Sequence, residues 1–398
     1  MKILWAGSLL HPTTRGGQIR TLEMLRHLHR RHEVHYVAYA GETQGENITK
    51  SSEYCSKIYP VRHRVPQRGS PGFLLQLSAN AASRLPLALS RYRSAEMRHV
   101  IDGLARSESF DAMVCDFLFP ALNMPDLGRS VLFQHNVETM IWRRHAETAP
   151  DPFRRAYFRI QAGRMFRLES ELCKAAGHVV AVSPTDRQKM RELFGITRVS
   201  TIGTGVDLEY FAPPAERTAL ADLVFVGSMD WMANIDGVEY FVREVLPLIR
   251  RRKPDCTLAV VGRTPPPGIL KLALAVPGIT VTGTVPDIRP YLWGAAVSIV
   301  PLRVGSGTRL KIYESMAAKV PAVSTSVGAE GLAIDPPRNI RIADTPESFA
   351  AECLALLADP VERTRVAQAA CEMVSARFSW SRIADEFEQI LIRHGSMK

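Results

Sequence analysis

Hydrophobic residues along this chain gather into short unbroken runs. Each run is followed by a glycine-rich or polar turn and then by apolar positions at helical spacing. Residues 2–6, 34–40, 111–116, 130–133, 178–182 and 199–202 read as buried strands of the first half, and 223–226, 257–261, 279–282, 297–300, 320–323 and 339–342 as those of the second. Runs without polar alternation are what a parallel strand covered on both faces requires. Between them, Ile19, Leu22, Leu25 and Leu28 predict a helix over 18–31, and arginine-rich helical stretches span 91–106 and 140–176. Pro184 stands at the favoured first position of another helix, and Asn234 is the expected N-cap of one reaching about residue 250. A short helix covers 286–293, and helices fill the chain from 346 onward. Residues 51–86 read as less regular, with Pro66, Gly69, Pro71 and Gly72 marking a loop.

Gly203, Thr204, Gly205, Pro213 and Pro214 break the alternation once, and it then starts again. The pattern therefore predicts an α/β protein with two Rossmann-like, doubly wound domains facing each other across a cleft, one over 1–205 and one from 206 onward. The length of 398 residues suits two domains of ordinary size. No apolar run reaches the ~18 residues of a membrane span, and the opening MKILWAGSLL reads as a first buried strand rather than a leader. Six scattered cysteines without a CxxC pair predict free thiols in a reducing, cytoplasmic setting and no zinc site.

Charge changes the picture in one respect. Of 50 Lys and Arg and 40 Asp and Glu, 29 and 20 lie in residues 1–215, which leaves 21 and 20 for 216–398. The excess of +10 thus sits almost wholly in the first half, which points to an anionic partner there: acidic lipid headgroups, a lipid-linked phosphate or an acidic glycan. An arginine-rich composition of the source genome would give the same count. The 140–176 stretch interleaves seven arginines with Phe153, Tyr157, Phe158 and Phe166, a pattern of helices lying on membranes and also of solvated helices with one packed face. No nucleic-acid motif appears, and nucleic acid is not expected as a partner.

Candidate chemistry concentrates in SIVPLRVGSGTRLKIYESMAAKVPAVSTSVGAEGL, residues 298–332. A strand ends in the turn Gly305, Ser306, Gly307, Thr308, and the helix that follows carries Arg309 and Lys311 in its first turn and Glu314 beyond. Free backbone N–H groups and the positive end of a helix make such a turn an anion site, to which two cations add. The same glycines also serve as a plain tight turn. Glu314, three residues after Lys311, can pair with it or accept hydrogen bonds from a ribose. After the first strand there is no GxGxxG, which disfavours a nicotinamide or flavin cofactor, but Gly16 and Gly17 allow close backbone approach at a helix start. His135, just past the carboxyl end of a predicted parallel strand, is the imidazole best placed for a ligand.

Taken together, GSGTRLKIYESMAAKVPAVSTSVGAEGL, TIGTGVDLEYF, LVFVGSMDWMANIDGVEYF, ITVTGTVPDIRPYL, the Gly16–Gly17 pair and the Phe378-Ser379-Trp380 motif resemble the GT-B nucleotide-sugar glycosyltransferases of the family 4, group 1 type, over nearly the whole chain. The resemblance implies an acceptor-binding domain over 1–205, a donor-binding domain over 206–377, and a last helix, 378–398, that packs back on the first domain. It implies transfer of a sugar from a nucleoside diphosphate to an acceptor hydroxyl, with retention, in glycan, polysaccharide or glycolipid synthesis. Catalytic roles would fall to His135, Arg309 and Lys311. Gly16, Gly17, Gly227, Val285, Ser306, Gly307, Thr308 and Glu314 would hold the donor, with backbone near Val285 reading the base and Glu314 the ribose. No metal and no other cofactor is expected; the partners are the sugar nucleotide, a glycan, lipid-linked or other hydroxyl acceptor, and an anionic membrane surface beneath the basic half, at the inner face. Two positions depart from the family pattern. Ser306 stands eight residues before Glu314 where a Glu is usual, and the turn 227–234 (GSMDWMAN) lacks the usual Arg and Lys. A sugar-nucleotide epimerase and a non-catalytic sugar-nucleotide-binding protein are the alternatives.

Overall fold

The computed structural model describes residues 1–11, 16–41, 45–63, 66, 70–147, 149, 151–304 and 310–394. The chain divides into two compact units, Met1–Gly203 with the segment from Trp380 onward, and Thr204–Ser379.

The first unit is built on seven strands, β1 (Lys2–Ser8), β2 (Glu33–Ala40), β3 (Lys57–Arg62), β4 (Ala112–Asp116), β5 (Ser130–Gln134), β6 (His178–Ala181) and β7 (Val199–Thr201). They lie in the order β3-β2-β1-β4-β5-β6-β7, and every pairing is parallel. The order reverses between β1 and β4, where Ala6 sits opposite Cys115. Connections to either side of that point run over opposite faces, which leaves a crevice at the carboxyl ends of the strands. The last helix, Trp380–His394, belongs to this unit. Its buried Trp380, Ile383, Ala384, Phe387 and Leu391 repeat at helical spacing and form one apolar stripe. Phe387 packs on Trp5 of β1 and Phe133 of β5, with ring centroids 5.5 and 5.2 Å away. At the edge of the stripe Glu388 accepts from His32 Nε2 at 2.7 Å, and Arg31 pairs with Asp385 and Glu388 at 2.7 and 2.9 Å.

The second unit carries β8 (Ala221–Val226), β9 (Leu258–Val261), β10 (Ile279–Gly283), β11 (Ala295–Val300), β12 (Ala322–Ser324) and β13 (Arg341–Ile342). Their order is β10-β9-β8-β11-β12-β13, again all parallel, with the switch between β8 and β11.

Three local expectations need correction. The 51–86 stretch is more regular than expected: it holds β3 and the helix Pro71–Ala81, so Pro71 and Gly72 open a helix, while Gly69 lies outside the described residues. Pro60 is tolerated because β3 is the sheet's edge strand, where a missing N–H costs no ladder bond. Ser70 accepts from Phe73 N at 3.2 Å and Pro71 opens the helix, so two of the loop markers, Pro71 and Gly72, lie in its first turn. The 140–176 stretch is two helices, Glu138–Glu147 and Pro152–Ala175, because Pro152 with its N-cap Asp151 starts the second afresh. Asn234 is not an N-cap. Its helix begins at Met232, and the Asn234 side chain turns toward the end of β8. The six cysteines are free. No described helix is long and apolar enough to cross a membrane.

Candidate functional site

In the first unit, side chains from β4, the end of β5 and the helix Gly16–His29 meet at the β1/β4 switch. Asp116, the last residue of β4, is buried and accepts from Thr21 Oγ1 at 2.9 Å through one carboxylate oxygen and from His135 Nε2 at 2.7 Å through the other. The Nδ1 of His135 lies 3.0 Å from Arg20 Nη1. A guanidinium only donates, so Nδ1 must be the acceptor and the ring proton must be on Nε2, facing Asp116. His135 is 3% exposed, and burial depresses its pKa, opposed by Asp116 and aided by Arg20. Burial also pushes Arg20 down to about 10, with Asp186 and Asp116 opposing, so it stays a cation at neutral pH. The structure therefore fixes a neutral imidazole in one tautomer, held from both nitrogens.

The ring is also fixed face-on. Phe117 stacks on it with centroids 3.9 Å apart and planes at 15°. The turn after β4 that presents Phe117 has φ of 70° at this residue, an uncommon conformation for a non-glycine side chain. A Cβ on Gly17 would stand 2.6 Å from Phe117 Cζ and 3.4 Å from His135 Nδ1, so any side chain here would have to push the Phe117 ring aside. Gly16 opens the same helix. The segment 134–139 that carries His135 is tied down by Glu169 of the helix Pro152–Ala175. Its carboxylate receives Glu138 N at 2.9 Å, Thr139 N at 2.7 Å, Thr139 Oγ1 at 2.6 Å and Gln134 Nε2 at 3.3 Å. Burial pushes the Glu169 carboxyl up to about 7, against the pull of the Thr139 and Glu138 donors.

In the second unit, the corresponding place is the β8/β11 switch. Lys311, on the helix Leu310–Ala317 after β11, donates from Nζ to Asn234 Oδ1 at 2.9 Å and lies 4.3 Å from the centre of the Phe225 ring of β8. Asn234 Nδ2 in turn donates to Ser228 O at 2.7 Å. Gly227 opens the turn after β8, where a Cβ would lie 2.7 Å from Lys311 Nζ and 2.9 Å from Asn234 Nδ2. Glu314, one helical turn past Lys311, is half-buried; burial pushes it up to about 7 and Lys311 opposes. A second cation comes from the turn after β9: Arg263 donates from Nε to Ser228 Oγ at 2.8 Å and pairs with Asp230 at 3.1 Å. Val285 lies two residues past the edge strand β10. Ser306, Gly307, Thr308 and Arg309 lie outside the described residues.

The structure thus gathers Gly17 with His135 in one unit, and Gly227 with Lys311 in the other. Sequence reasoning missed Asp116, Arg20, Thr21, Glu169, Asn234 as a side-chain ligand, and Arg263. For Asp116 and Arg263 there was a signal, since each charge falls at or just past the carboxyl end of a parallel strand, where open α/β sheets place ligands.

Two all-parallel α/β units, each with polar and cationic side chains at its switch point, define a protein of the GT-B class. A family model described as "Glycosyltransferase Family 4" matches residues 14–210, and one described as "Glycosyl transferases group 1" matches residues 221–359. The chain belongs to the GT-B nucleotide-sugar glycosyltransferases of that family. A D-inositol 3-phosphate glycosyltransferase from Nocardiopsis dassonvillei is 29% identical over 247 residues, which cover 55% of this chain and 56% of that protein. The match therefore spans little more than half of that relative. Among solved structures, the sucrose-phosphate synthase of Thermosynechococcus elongatus superposes with a TM-score of 0.74 at 17% identity, covering 99% of this chain and 98% of the other. HepE of Anabaena, solved in complex with UDP-glucose, gives 0.69 at 13% identity over 98% and 99%. At these identities the two structures speak for the fold.

Proposed function

We propose that this protein transfers a sugar from a nucleoside-diphosphate sugar to an acceptor hydroxyl, with retention, in the synthesis of a glycan, polysaccharide or glycolipid. The observation that carries this reading is the ammonium of Lys311, held by Asn234 against the Gly227 turn at the β8/β11 switch. A fixed cation beside a glycine turn suits the diphosphate leaving group, whose charge grows in the transition state; it therefore stabilises that state more than the bound substrate. Arg309 is the second cation of this clamp, and Glu314 accepts from the ribose hydroxyls. His135, with its tautomer fixed by Asp116 and Arg20, serves the sugar end of the reaction. No metal is assigned a role; positive side chains take that place. HepE is solved with UDP-glucose, so UDP-sugars are the first donors to try.

The test is turnover of a panel of nucleoside-diphosphate sugars by purified protein, read as nucleotide release with hydroxyl acceptors, with the anomeric product assigned by proton NMR. Substitution of Arg309 and Lys311 by alanine should abolish transfer; undiminished turnover in that double variant would refute the clamp.

The same reading includes an anionic bilayer as partner of the basic half. Its support is the exposed apolar residues of two helices joined where Arg164 bonds Asn80 O and Ala81 O. Phe153 and Ile160 are exposed on the helix Pro152–Ala175, Phe153 at 88%, among the exposed Arg154, Arg155 and Arg159, and Leu74 and Leu75 are exposed on the helix Pro71–Ala81, Leu75 at 72%. Co-sedimentation with phosphatidylglycerol vesicles, but not with phosphatidylcholine vesicles, is the expected result, lost on Phe153→Asp with Leu75→Asp.

A further inference from the structure

The turn after β8 contains no Lys or Arg, yet two cations from neighbouring elements are brought to it from different sides. Lys311 comes from the helix after β11. Arg263 comes from the turn after β9, and its position is dictated by backbone. Gly262 approaches β8 so closely that a Cβ on it would lie 1.8 Å from Gly227 O. Gly227 N donates to Val261 O at 2.9 Å, and Met229 N donates to Arg263 O at 2.9 Å. The two turns are thus locked together, and the residue after Gly262 has to stand beside Ser228. From there the Arg263 guanidinium reaches Ser228 Oγ and Asp230, while Ser228 Oγ donates to the other Asp230 oxygen at 2.6 Å. Ser228 is therefore bracketed, with its hydroxyl held by Arg263 and its carbonyl by the Asn234 that Lys311 holds.

We propose that Arg263 is a donor-binding residue that contacts the diphosphate opposite Lys311, and that Asp230 is its counter-ion in the absence of donor, displaced when the diphosphate arrives. This rests on the reading of the β8/β11 switch as the donor site. An ion pair with both partners substantially exposed, 30% for Arg263 and 48% for Asp230, contributes little to stability, so holding the turn is a poor reason for it. A guanidinium presents a planar fork that fits either a carboxylate or a phosphate, and exchange of one for the other keeps its hydrogen bonds filled. Asp230 also keeps the turn from carrying two uncompensated cations when no anion is present.

The test is calorimetric titration of the full chain with UDP, ADP and GDP, and with the matching monophosphates, in the wild type, Arg263→Gln, Arg263→Lys, Asp230→Asn and the Asp230→Asn/Arg263→Gln double variant. For whichever diphosphate binds, Arg263→Gln should weaken it about tenfold, the loss of one charge-assisted contact, and Arg263→Lys should recover part of that. The monophosphate should lose less. Asp230→Asn should tighten the diphosphate severalfold, and this gain should vanish in the double variant, which a purely structural ion pair would not produce. Equal diphosphate affinity in wild type and Arg263→Gln, or a gain from Asp230→Asn that survives loss of Arg263, overturns the inference and leaves the donor site standing. If neither the wild type nor Asp230→Asn binds any of the three diphosphates, the donor-site reading itself falls. Should Arg263→Gln not fold, Asp230→Asn and Arg263→Lys decide alone: unchanged affinity in both overturns the inference.

Discussion

Phe387→Ala tests whether the last helix is part of the first unit's core and whether that core reaches His135. Phe387 is fully buried, between Trp5 and Phe133. Removing the ring forfeits about 2 kcal/mol of transfer free energy. It also leaves a cavity of roughly 100 Å³ at about 24 cal/mol per Å³, or ~2 kcal/mol more. The sum of about 4 kcal/mol falls within the range measured for buried Phe→Ala changes and corresponds to a melting shift of about 8–16 °C for a unit of this size. The loss should travel. Phe133 O accepts Phe117 N at 2.9 Å, and the Phe133 ring lies 4.3 Å from that of His135, so a loosened Phe133 frees both partners of the Phe117–His135 stack. The assay is hydrogen exchange followed by peptide mass spectrometry. Faster exchange is expected in 1–8, 112–117, 130–139 and 380–394, with no change in 221–226 or 295–300. Phe387→Leu should restore most of the protection. A melting point lowered by less than about 2 °C, or loss of protection in β8 and β11 instead, would refute the reasoning.

Three further outcomes follow from the geometry. Gly17→Ala should lose most transfer activity while costing about 1–3 kcal/mol of stability, because its methyl drives Phe117 off the His135 ring; activity equal to wild type would show the stack is dispensable. Glu314, pushed up to about 7 by burial, stays protonated well above the ordinary carboxyl value of 4.5, so its contribution to stability is complete below 4.5 and lost as pH rises through about 7. Denaturation of the second unit should show that decline in the wild type and not in Glu314→Gln, while nucleotide affinity in the wild type should rise over the same interval as the carboxylate forms. His178, stacked on His394 at 3.8 Å, is pushed down to about 4 by burial, with His394 and Arg198 adding to the shift. Its contribution is present above the unfolded value of 6.5 and lost as pH falls through about 4; His178→Phe should flatten that loss, and parallel pH curves for the two proteins would count against it.

The fold was largely legible because its sheets are parallel. A strand buried on both faces has to be apolar throughout, so β1, β2, β4, β5, β8, β9 and β11 announce themselves as unbroken runs ending at turns. What escaped did so where one residue type has two meanings. β3, with Pro60 in it, does not announce itself until it is known to be an edge strand, and Pro71 reads as a loop marker until Ser70 is seen capping Phe73. The break between Glu138–Glu147 and Pro152–Ala175 was signalled by Asp151-Pro152, but the run of arginines on both sides hid it.

The site was legible only where its chemistry follows the chain. Lys311 and Glu314 share a helix, and Gly227 follows directly on a strand, so spacing alone marks them. The setting of His135 could not be read that way. Asp116, Thr21 and Arg20 lie 19, 114 and 115 residues away, and only the β3-β2-β1-β4-β5 order brings the ends of β4 and β5 to the helix after β1. The same holds for the cations of the second unit. A turn whose sequence, GSMDWMAN, offers no positive charge is nonetheless flanked by two, because parallel neighbours place the residues after β9 and β11 beside the end of β8. A missing charge in a motif is therefore weak grounds for inferring a missing function in this fold: the sheet order lets an adjacent strand supply it, and the test is whether the neighbouring turn is locked where its side chain can reach. Here Gly262 against Gly227, and Met229 N on Arg263 O, provide that lock.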